Sequence, residues 1–203
     1  MLSSQKNCQR LIPLLFTPMK IRGLTIRNRI IASPMCQYLS VDGAPSDWQL
    51  MHLGRLAIGG CGIVFGEETA VEPDGRKTHR CAGLYKQSHV ASYLKLTEMI
   101  KSNGAVPAIQ LGHSGRKGSC HGAMEDWRAL DKFDVANGLP PWQVMTPTAS
   151  VSPPRPIPHK EMDQTDINRV IDDFRTATKR SIDAGYDIVE IHGAHGYLIH
   201  QFL

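Results

Sequence analysis

The spacing of apolar residues along the chain predicts strands that alternate with helices. Short apolar runs rich in β-branched residues indicate buried strands at 29–32, 63–65, 106–111 and 188–191. Apolar residues at helical spacing predict helices that begin near Asp47, after Ser88 and after Thr165, each ending at a glycine-containing turn. Residues 20–27 alternate around Gly23 and predict a hairpin ahead of the first of these strands.

The order of these elements favours a sheet of parallel strands. Alternating strands and helices are typical of right-handed β-α-β crossovers. Four such units fit either a small doubly wound sheet or the first half of an eight-stranded (β/α)8 barrel. Candidate reactive side chains favour the barrel, because they are expected just beyond four successive strand ends, where barrel active sites lie. These side chains belong to Cys36, Tyr38, Glu68, Gln110, His192, His195 and Tyr197.

The last strand end carries the densest candidate chemistry. His192, His195 and Tyr197 follow it and are separated only by glycine and alanine. Small spacers leave room for a ligand, and glycine permits the sharp turn that lets nearby side chains converge. Two imidazoles and a phenol at one place form a set of proton donors, which indicates an active site. Taken alone, His192 and His195 also fit a metal-dependent hydrolase with His200 as a third ligand.

Composition narrows the possible function classes. The formal charge is +4 with lysine and arginine scattered along the chain, so we expect no nucleic-acid partner. No apolar run approaches the roughly 18 residues that span a bilayer, so we expect no membrane insertion. The five cysteines include no C-x-x-C pair, which favours free thiols in a reducing compartment. We therefore expect a cytoplasmic protein whose first 14 residues are disordered.

Two common cofactor and nucleophile motifs do not match. The glycines at 59, 60 and 62 precede a strand, whereas a dinucleotide fingerprint follows one and opens a helix. Residues 112–117 lack the G-x-S-x-G spacing of a serine nucleophile. Residues 114–165 form a proline-rich excursion within the domain at 15–203, and its tryptophans, Trp127 and Trp142, favour an ordered lid after the third strand.

Four spaced segments resemble the old yellow enzyme family, and most closely its cysteine-containing subclass, which includes the xenobiotic reductases. They are Ser-Pro-Met-Cys-Gln-Tyr at 33–38, Glu-Glu-Thr-Ala-Val at 67–71, Gln-Leu-Gly-His-Ser-Gly-Arg-Lys at 110–117 and His-Gly-Ala-His-Gly-Tyr at 192–197. The similarity runs in order from about residue 15 to residue 203. Members of the family are FMN-dependent (β/α)8 barrels that reduce activated C=C bonds with NAD(P)H, so the resemblance implies that fold, those cofactors and an electrophilic alkene as substrate.

The resemblance also implies roles for individual residues. It places Ser33, Pro34, Met35 and Cys36 against the flavin. A thiol there can tune the flavin's reduction potential through hydrogen bonding.

The resemblance further implies that Gln110 hydrogen-bonds the pyrimidine edge of the flavin and that Tyr38 lines the substrate pocket. His192 and His195 would donate to the substrate's carbonyl or nitro oxygen, stabilising the developing enolate as an oxyanion hole does. Tyr197 would supply a proton to the α-carbon, because a phenol is protonated at neutral pH.

The sequence departs from the family pattern in two ways. Glu68 stands beside the expected flavin, where the family pattern has alanine, and an inward carboxylate would repel a reduced, anionic flavin. The match also covers only the first four of eight barrel units, without the later basic residue and phosphate site. This predicts a truncated barrel whose unpaired strand edges favour association with another copy. The competing hypothesis is therefore an inactive fragment with weak or no FMN binding.

Overall fold

Four parallel strands form the centre of the fold. A computed structural model describes residues 12–149 and 157–203. Within these ranges the elements are, in order, β1 (Met19–Ile21), β2 (Leu24–Ile26), β3 (Ile31–Ala32), α1 (Asp47–Ile58), β4 (Ile63–Ala70), α2 (Val90–Ser102), β5 (Val106–Gly112), β6 (Val144–Thr146), β7 (His159–Glu161), α3 (Gln164–Asp183), β8 (Ile188–Ile191) and α4 (Leu198–Gln201). The central sheet has the order β3-β4-β5-β8, with every neighbouring pair parallel. The predicted α/β class with an N-terminal hairpin is confirmed, and the four strands form an open sheet within the described residues.

The helices cover one face of this sheet. Leu53 of α1, Ile100 of α2 and Ala177 of α3 are buried in one cluster with Val64 and Ile109 of the sheet. Because successive side chains of a strand point to opposite faces, Val64 joins this core while its neighbours Ile63 and Phe65 pack on the other face. The three helices therefore pack on one face of the sheet. The hairpin and the candidate site lie on the other face.

The hairpin β1–β2 packs on the opposite face, near the amino-terminal ends of the strands. Ile26 is fully buried there against Ile63, Phe65 and Ala108. These contacts involve the first residues of β4 and the middle of β5. The carboxyl ends of the strands are consequently left to the loops that carry the candidate chemistry.

Arg27 fastens the hairpin to the ends of two helices. Its guanidinium donates to the backbone oxygens of Ala57 at 2.6 Å, Cys61 at 3.1 Å and Asn103 at 2.8 Å. The last carbonyls of a helix have no partner within the helix. A single side chain thus satisfies carbonyls at the ends of both α1 and α2.

Two helices begin with reciprocal side-chain caps. The Ser46 amide donates to Gln49 Oε1 at 2.8 Å, which supports the predicted start of α1. The Asp166 amide donates to Asp163 Oδ1 at 2.9 Å, so α3 begins at Gln164 rather than after Thr165. The earlier start follows from the cap, because Asp163 satisfies the first free amides.

Strand β4 is longer than its sequence pattern indicates. Its predicted end at residue 65 is wrong, since pairing with β5 continues to Ala70 after an irregularity between Phe65 and Glu68. Glu68 and Gln110 therefore lie within strands, not beyond them. Charged residues interrupt the apolar pattern at 67–68, although both glutamates are buried.

The excursion at 114–165 includes the short parallel pair β6–β7, which the sequence pattern did not predict. Trp142 Nε1 donates to the Asp74 backbone oxygen at 3.1 Å, so this segment packs on the loop after β4. Residues 150–156 of the proline-rich excursion and residues 1–11 of the predicted disordered start lie outside the described residues. No helix in the described ranges is both long and apolar enough to cross a bilayer.

Candidate active site

A row of polar side chains crosses the central sheet near its carboxyl edge. Glu68, Gln110 and Glu190 are neighbours in register on β4, β5 and β8. Residues in register on adjacent parallel strands project from the same face. The Gln110 side-chain amide donates to the Glu190 carboxylate. The backbone amide of His192 donates to the Leu111 oxygen at 2.8 Å, so the pairing of β8 with β5 continues as far as His192.

Glu68 turns inward and forms a buried ion pair with Lys77, whose side chain is only 3% exposed. Glu68 Oε2 contacts Lys77 Nζ, and Glu68 Oε1 is buried without a hydrogen-bond partner among the described residues. The carboxylate lies over Gly112, where an added Cβ would overlap it. Burial disfavours the Lys77 ammonium, yet attraction to Glu68 and its neighbours raises the pKa of Lys77 well above its ordinary value.

His192, His195 and Tyr197 converge, as their spacing predicts. The ring centroids of His192 and Tyr197 are 4.9 Å apart, and those of His192 and His195 are 5.0 Å apart. His195 Nδ1 lies 3.2 Å from His192 Nε2. The left-handed backbone of His195 (φ +58°) turns the chain back after Ala194 and brings the rings together.

The hydrogen bonds assign a direction to this histidine pair. The Ala194 amide donates to His192 Nδ1 at 3.2 Å, so Nδ1 is the unprotonated nitrogen. Burial lowers the pKa of His192, which keeps the ring neutral with its proton on Nε2. His192 Nε2–H then donates to His195 Nδ1. The exposed His195 is left with Nε2–H as the donor that a ligand can use.

Two ammonium groups flank the Tyr197 ring. Lys77 Nζ is 5.1 Å from the ring centroid, and Lys117 Nζ is 5.5 Å from it. Both distances are within the range of cation–π attraction. Burial raises the pKa of Tyr197, and Lys77 opposes that rise. The phenol is therefore protonated at neutral pH.

Cys36 and Tyr38 lie in the segment after β3, within electrostatic reach of Lys77. Burial raises the pKa of Cys36 to about 11, with Lys77 opposing the rise, so the thiol is protonated at neutral pH. Burial also raises the pKa of Tyr38, whose hydroxyl is hydrogen-bonded with Cys36. The Tyr38 ring meets Trp127 edge-on, with centroids 5.7 Å apart.

Glu67 holds this segment against α1. Its carboxylate accepts from the Gln37 amide at 2.9 Å and from Gln49 Nε2 at 3.0 Å. Burial raises the pKa of Glu67, and the hydrogen bonds limit the rise. The two adjacent glutamates of β4 thus differ, because Glu67 serves the scaffold and Glu68 faces the site.

A cavity of about 390 Å³ opens beside Tyr38. The excursion provides one wall, with His121 and Leu130, and the loop after β4 provides another, with His79 and Arg80. Tyr38 and Gln37 line the cavity on the side of the segment after β3.

The structure brings together most of the predicted site residues. His192, His195 and Tyr197 are in contact, Cys36 and Tyr38 are in contact, and Glu68 and Gln110 are neighbours on adjacent strands. The remaining three predicted flavin contacts lead from β3 to Cys36, with exposed or half-buried side chains, and meet none of this cluster. They are Ser33, Pro34 and Met35.

Sequence reasoning missed Lys77 and Lys117 at the Tyr197 ring. Lys77 is nine residues from Glu68, and no local pattern marks it as a site residue. The available signal was Glu68 itself, since an acid predicted beside a buried strand end requires a positive partner. The family pattern drew attention to the carboxylate and not to its counter-ion.

The metal-site alternative finds no support in the structure. His192 and His195 face each other through a hydrogen bond, and His200 Nδ1 accepts from the Gly196 amide at 2.9 Å. Across residues 12–149 and 157–203, no group of three histidine, cysteine, aspartate or glutamate side chains could hold a metal ion. The histidines are therefore arranged as a hydrogen-bond relay.

The residues at this edge fit a flat flavin ring, the cofactor that the resemblance implies. Gln110 provides an amide, and Cys36 a protonated thiol. The inward Glu68 does not present a free negative charge, because Lys77 neutralises it. Its unpartnered Oε1 can accept a hydrogen bond from a ligand N–H group. The expected repulsion between Glu68 and a reduced flavin is accordingly reduced by Lys77.

Comparison with known proteins gives one consistent result. A family model described as the NADH:flavin oxidoreductase / NADH oxidase family matches residues 14–203. The chain is 39% identical to an NADH:flavin oxidoreductase of Gibberella zeae over 93% of its length, and that match covers 45% of the relative. It is 38% identical to an NADPH dehydrogenase of Geobacillus sp., covering 94% of this chain and 51% of the relative. The chain thus spans about half the length of the curated relatives it matches.

Solved structures agree with these matches. A morphinone reductase variant in complex with tetrahydroNAD superposes with a TM-score of 0.77 and 25% identity, over 95% of this chain and 52% of the other. A 2-naphthoyl-CoA reductase superposes with a TM-score of 0.78 and 27% identity, over 94% of this chain and 28% of the other. The match to about half of the flavoprotein barrel confirms the predicted fold of four β/α units.

Proposed function

Because this chain belongs to the NADH:flavin oxidoreductase / NADH oxidase family, we propose that it forms the flavin-binding and substrate-facing part of an ene-reductase. The family match confirms the resemblance drawn from the four sequence motifs, and FMN with a nicotinamide reductant are the cofactors of that family. The proposed reaction is the reduction of an activated C=C bond in an enone or a similar electrophilic alkene, with NADPH or NADH as reductant.

The observation that carries the proposal is the convergence of His192, His195 and Tyr197 at the sheet edge that also holds Gln110 and Cys36. We propose that Ser33, Pro34, Met35, Cys36, Glu68 and Gln110 surround the ring of FMN. When bound, FMN supplies the hydride that reduces the alkene. Lys77 keeps the Glu68 carboxylate compensated beside that ring.

The chain's own residues bind and polarise the substrate. His195 donates Nε2–H to the substrate's carbonyl or nitro oxygen. His192 donates to Nδ1 of His195, and this hydrogen bond fixes the proton of His195 on Nε2. The oxygen gains negative charge as the alkene is reduced, so a positioned donor stabilises the transition state. After rotation of its ring, His192 Nε2–H can become the second donor to the same oxygen.

Tyr197 supplies the proton that completes the reduction. Its phenol is protonated at neutral pH and lies 4.9 Å, ring to ring, from His192. A general acid must be protonated and within reach of the atom that receives the proton. Tyr38 forms the facing wall of the substrate pocket, and the adjoining cavity takes the part of the substrate that does not react.

Free thiols support a reducing compartment such as the cytoplasm, since Cys36, Cys61 and Cys81 form no disulfide and Cys8 lies outside the described residues. Ile31 on β3 and Ile191 on β8 are exposed on the outer strands of the sheet. These edges support the prediction of association with another copy.

The test begins with FMN binding to the purified chain. We expect quenching of flavin fluorescence on titration with FMN, anaerobic bleaching of the flavin band by NADPH or NADH, and saturation of the C=C bond of 2-cyclohexenone. Absence of flavin binding would favour the alternative of an inactive chain. Binding and bleaching without enone reduction would retain the flavoprotein assignment and exclude this substrate class.

A further inference from the structure

The proposed chemistry places Glu68 beside the flavin ring with Lys77 as its counter-ion, but it gives this buried pair no part in the proton transfer. Their side chains are 6% and 3% exposed, and both lose most of their hydration in the fold. Burying two charges is costly even when they are paired, so such pairs are weak evidence for a role in stability. Charged groups buried in a cleft with other titratable residues more often serve a functional site. The question is which neighbour the pair acts on.

The geometry selects Tyr197. Lys77 Nζ lies 5.1 Å from the centroid of the Tyr197 ring, and Lys117 Nζ lies 5.5 Å from it. Lys117 is exposed and is held by the backbone oxygen of His195. Among the described carboxylates, Glu68 is the one that pairs with Lys77, and it occupies a space that Gly112 leaves open by having no Cβ.

We propose that Lys77 is a positioning residue for Tyr197: its ammonium, fixed by Glu68, orients the phenol ring and makes its proton easier to give up. The inference rests on the proposed function, in which Tyr197 is the proton donor. Cation–π attraction holds the ring, and the positive charge stabilises the phenolate that forms when the proton leaves.

The charged groups around Tyr197 determine the direction in which its pKa should shift when one of them is removed. Burial raises the pKa of Cys36 and of Cys81, so both nearby thiols are neutral at neutral pH. Burial lowers the pKa of His192, which is neutral as well. His195 faces the Tyr197 ring from 6.3 Å and is the accepting partner of His192.

Within the described ranges, the charges that act on Tyr197 include the ammonium groups of Lys77 and Lys117 and the Glu68 carboxylate. Lys77 lowers the pKa of Tyr197 and Glu68 raises it. Removal of Lys77 and neutralisation of Glu68 should therefore shift the ionisation of Tyr197 in opposite directions. A role in packing alone would not produce two shifts of opposite sign.

The experiment places 3-fluorotyrosine at position 197 and follows its ionisation by ¹⁹F NMR in the flavin-free full chain. Fluorination lowers the phenol's pKa and keeps the titration in a mildly alkaline range. With Lys77→Met we expect a midpoint higher by about one pH unit, because an adjacent cation is lost. With Glu68→Gln we expect a lower midpoint, because Lys77 then acts on the phenol without compensation.

The matched control is Lys86→Met. Lys86 also pairs with a carboxylate and lies 5.9 Å from a tyrosine ring, but that ring belongs to Tyr85. It should leave the midpoint at position 197 unchanged. The double variant Glu68→Gln/Lys77→Met carries no unpaired buried charge and serves if Lys77→Met does not fold. Its midpoint should lie above that of the unsubstituted chain.

Equal midpoints in the unsubstituted chain and in Glu68→Gln, or shifts of the same sign in Glu68→Gln and Lys77→Met, would overturn the inference. So would an unshifted midpoint in the double variant. The measurement needs neither flavin nor substrate. A chain that fails to bind FMN would count against the proposed function and would still report on Lys77 and Tyr197.

Discussion

Two groups that each combine a lysine, a carboxylate and a tyrosine differ in burial within the described part of the chain. The buried group is Glu68, Lys77 and Tyr197 at the sheet edge. The exposed group is Asp42, Lys86 and Tyr85, in which the Lys86 and Asp42 side chains are 49% and 60% exposed. In both groups a lysine pairs with a carboxylate and lies 5–6 Å from a tyrosine ring, at 5.1 Å for Lys77 and 5.9 Å for Lys86.

Burial makes the difference between these two groups. Water and salt screen Asp42 and Lys86, and exposed ion pairs add little to stability. At Glu68 and Lys77 neither charge has water to replace a lost partner, so each depends on the other. The arrangement of residues alone therefore does not show a function. The buried group acts on its neighbouring phenol with less screening by water and salt than the exposed group does.

The largest expected effect is on folding stability when one member of the buried pair is removed. Lys77→Met leaves the Glu68 carboxylate buried without a partner, so the free energy of unfolding should fall by about 3–5 kcal/mol. Lys86→Met should change it by less than about 1 kcal/mol. Urea denaturation followed by circular dichroism measures both values. Similar losses for the two variants would remove the distinction between the groups.

The second largest expected effect is on the rate of enone reduction. Tyr197→Phe keeps the ring between the two ammonium groups and removes the proton that the mechanism needs, so enone reduction by the FMN-loaded chain should fall about 100-fold. Tyr85→Phe should leave the rate unchanged, because its hydroxyl serves only Asp42, at 3.2 Å. Stopped-flow measurement of flavin reoxidation by the enone isolates this step. A Tyr197→Phe chain with full reoxidation rate contradicts the assigned proton donor.

A smaller effect is expected from filling the space over which Glu68 lies. Gly112→Ala introduces a Cβ that overlaps the Glu68 carboxylate and should cost about 1–3 kcal/mol of unfolding free energy. Gly23→Ala is the matched control, since a Cβ there meets no atom within 4 Å and the cost should be below about 0.5 kcal/mol. Thermal unfolding of both variants makes the comparison, and an unaffected Gly112→Ala would show that Glu68 is not confined.

The smallest expected effect is on the pH dependence of folding stability. The exposed pair should affect stability at acid pH, and the buried pair should affect it at alkaline pH. The hydrogen bond from Lys86 lowers the pKa of Asp42, so this pair adds stability above the ordinary aspartate pKa of 3.8 and loses it as pH falls further. The pKa of Lys77 is raised, so its contribution is complete below the ordinary lysine pKa of 10.5 and is lost as pH rises beyond it.

Asp42→Asn should therefore change only the acid limb of the stability profile, by less than about 1 kcal/mol. Urea midpoints recorded from pH 2 to pH 6 test this limb. Glu68→Gln should instead alter the alkaline limb, because it removes the partner that raises the pKa of Lys77. A loss of stability at acid pH alone in Glu68→Gln would reverse the assignment.

Much of the fold could be predicted from apolar periodicity. The three long helices, the hairpin and the four central strands lie where the pattern indicates, because each presents one apolar side to the core. The end of β4 could not be predicted, since Glu67 and Glu68 are charged residues in a buried strand. The short elements β6, β7 and α4 hold four residues or fewer, too few for a period to show.

The candidate site was partly predictable for a different reason. His192, His195 and Tyr197 are close in sequence, so local turns bring them together. Gln110 and Glu68 could be placed from strand order. Lys77 could not, because its contacts with Glu68 and Tyr197 depend on a loop path that no period describes.

The fit between Gly112 and Glu68 also constrains the history of this site. A glycine at 112 tolerates either a small residue or a glutamate at 68, whereas a Cβ at 112 would displace the Glu68 carboxylate. Along a lineage of single substitutions, the path on which the glycine precedes the glutamate avoids this displacement, and whichever charge of the pair is gained first lowers stability until its partner follows.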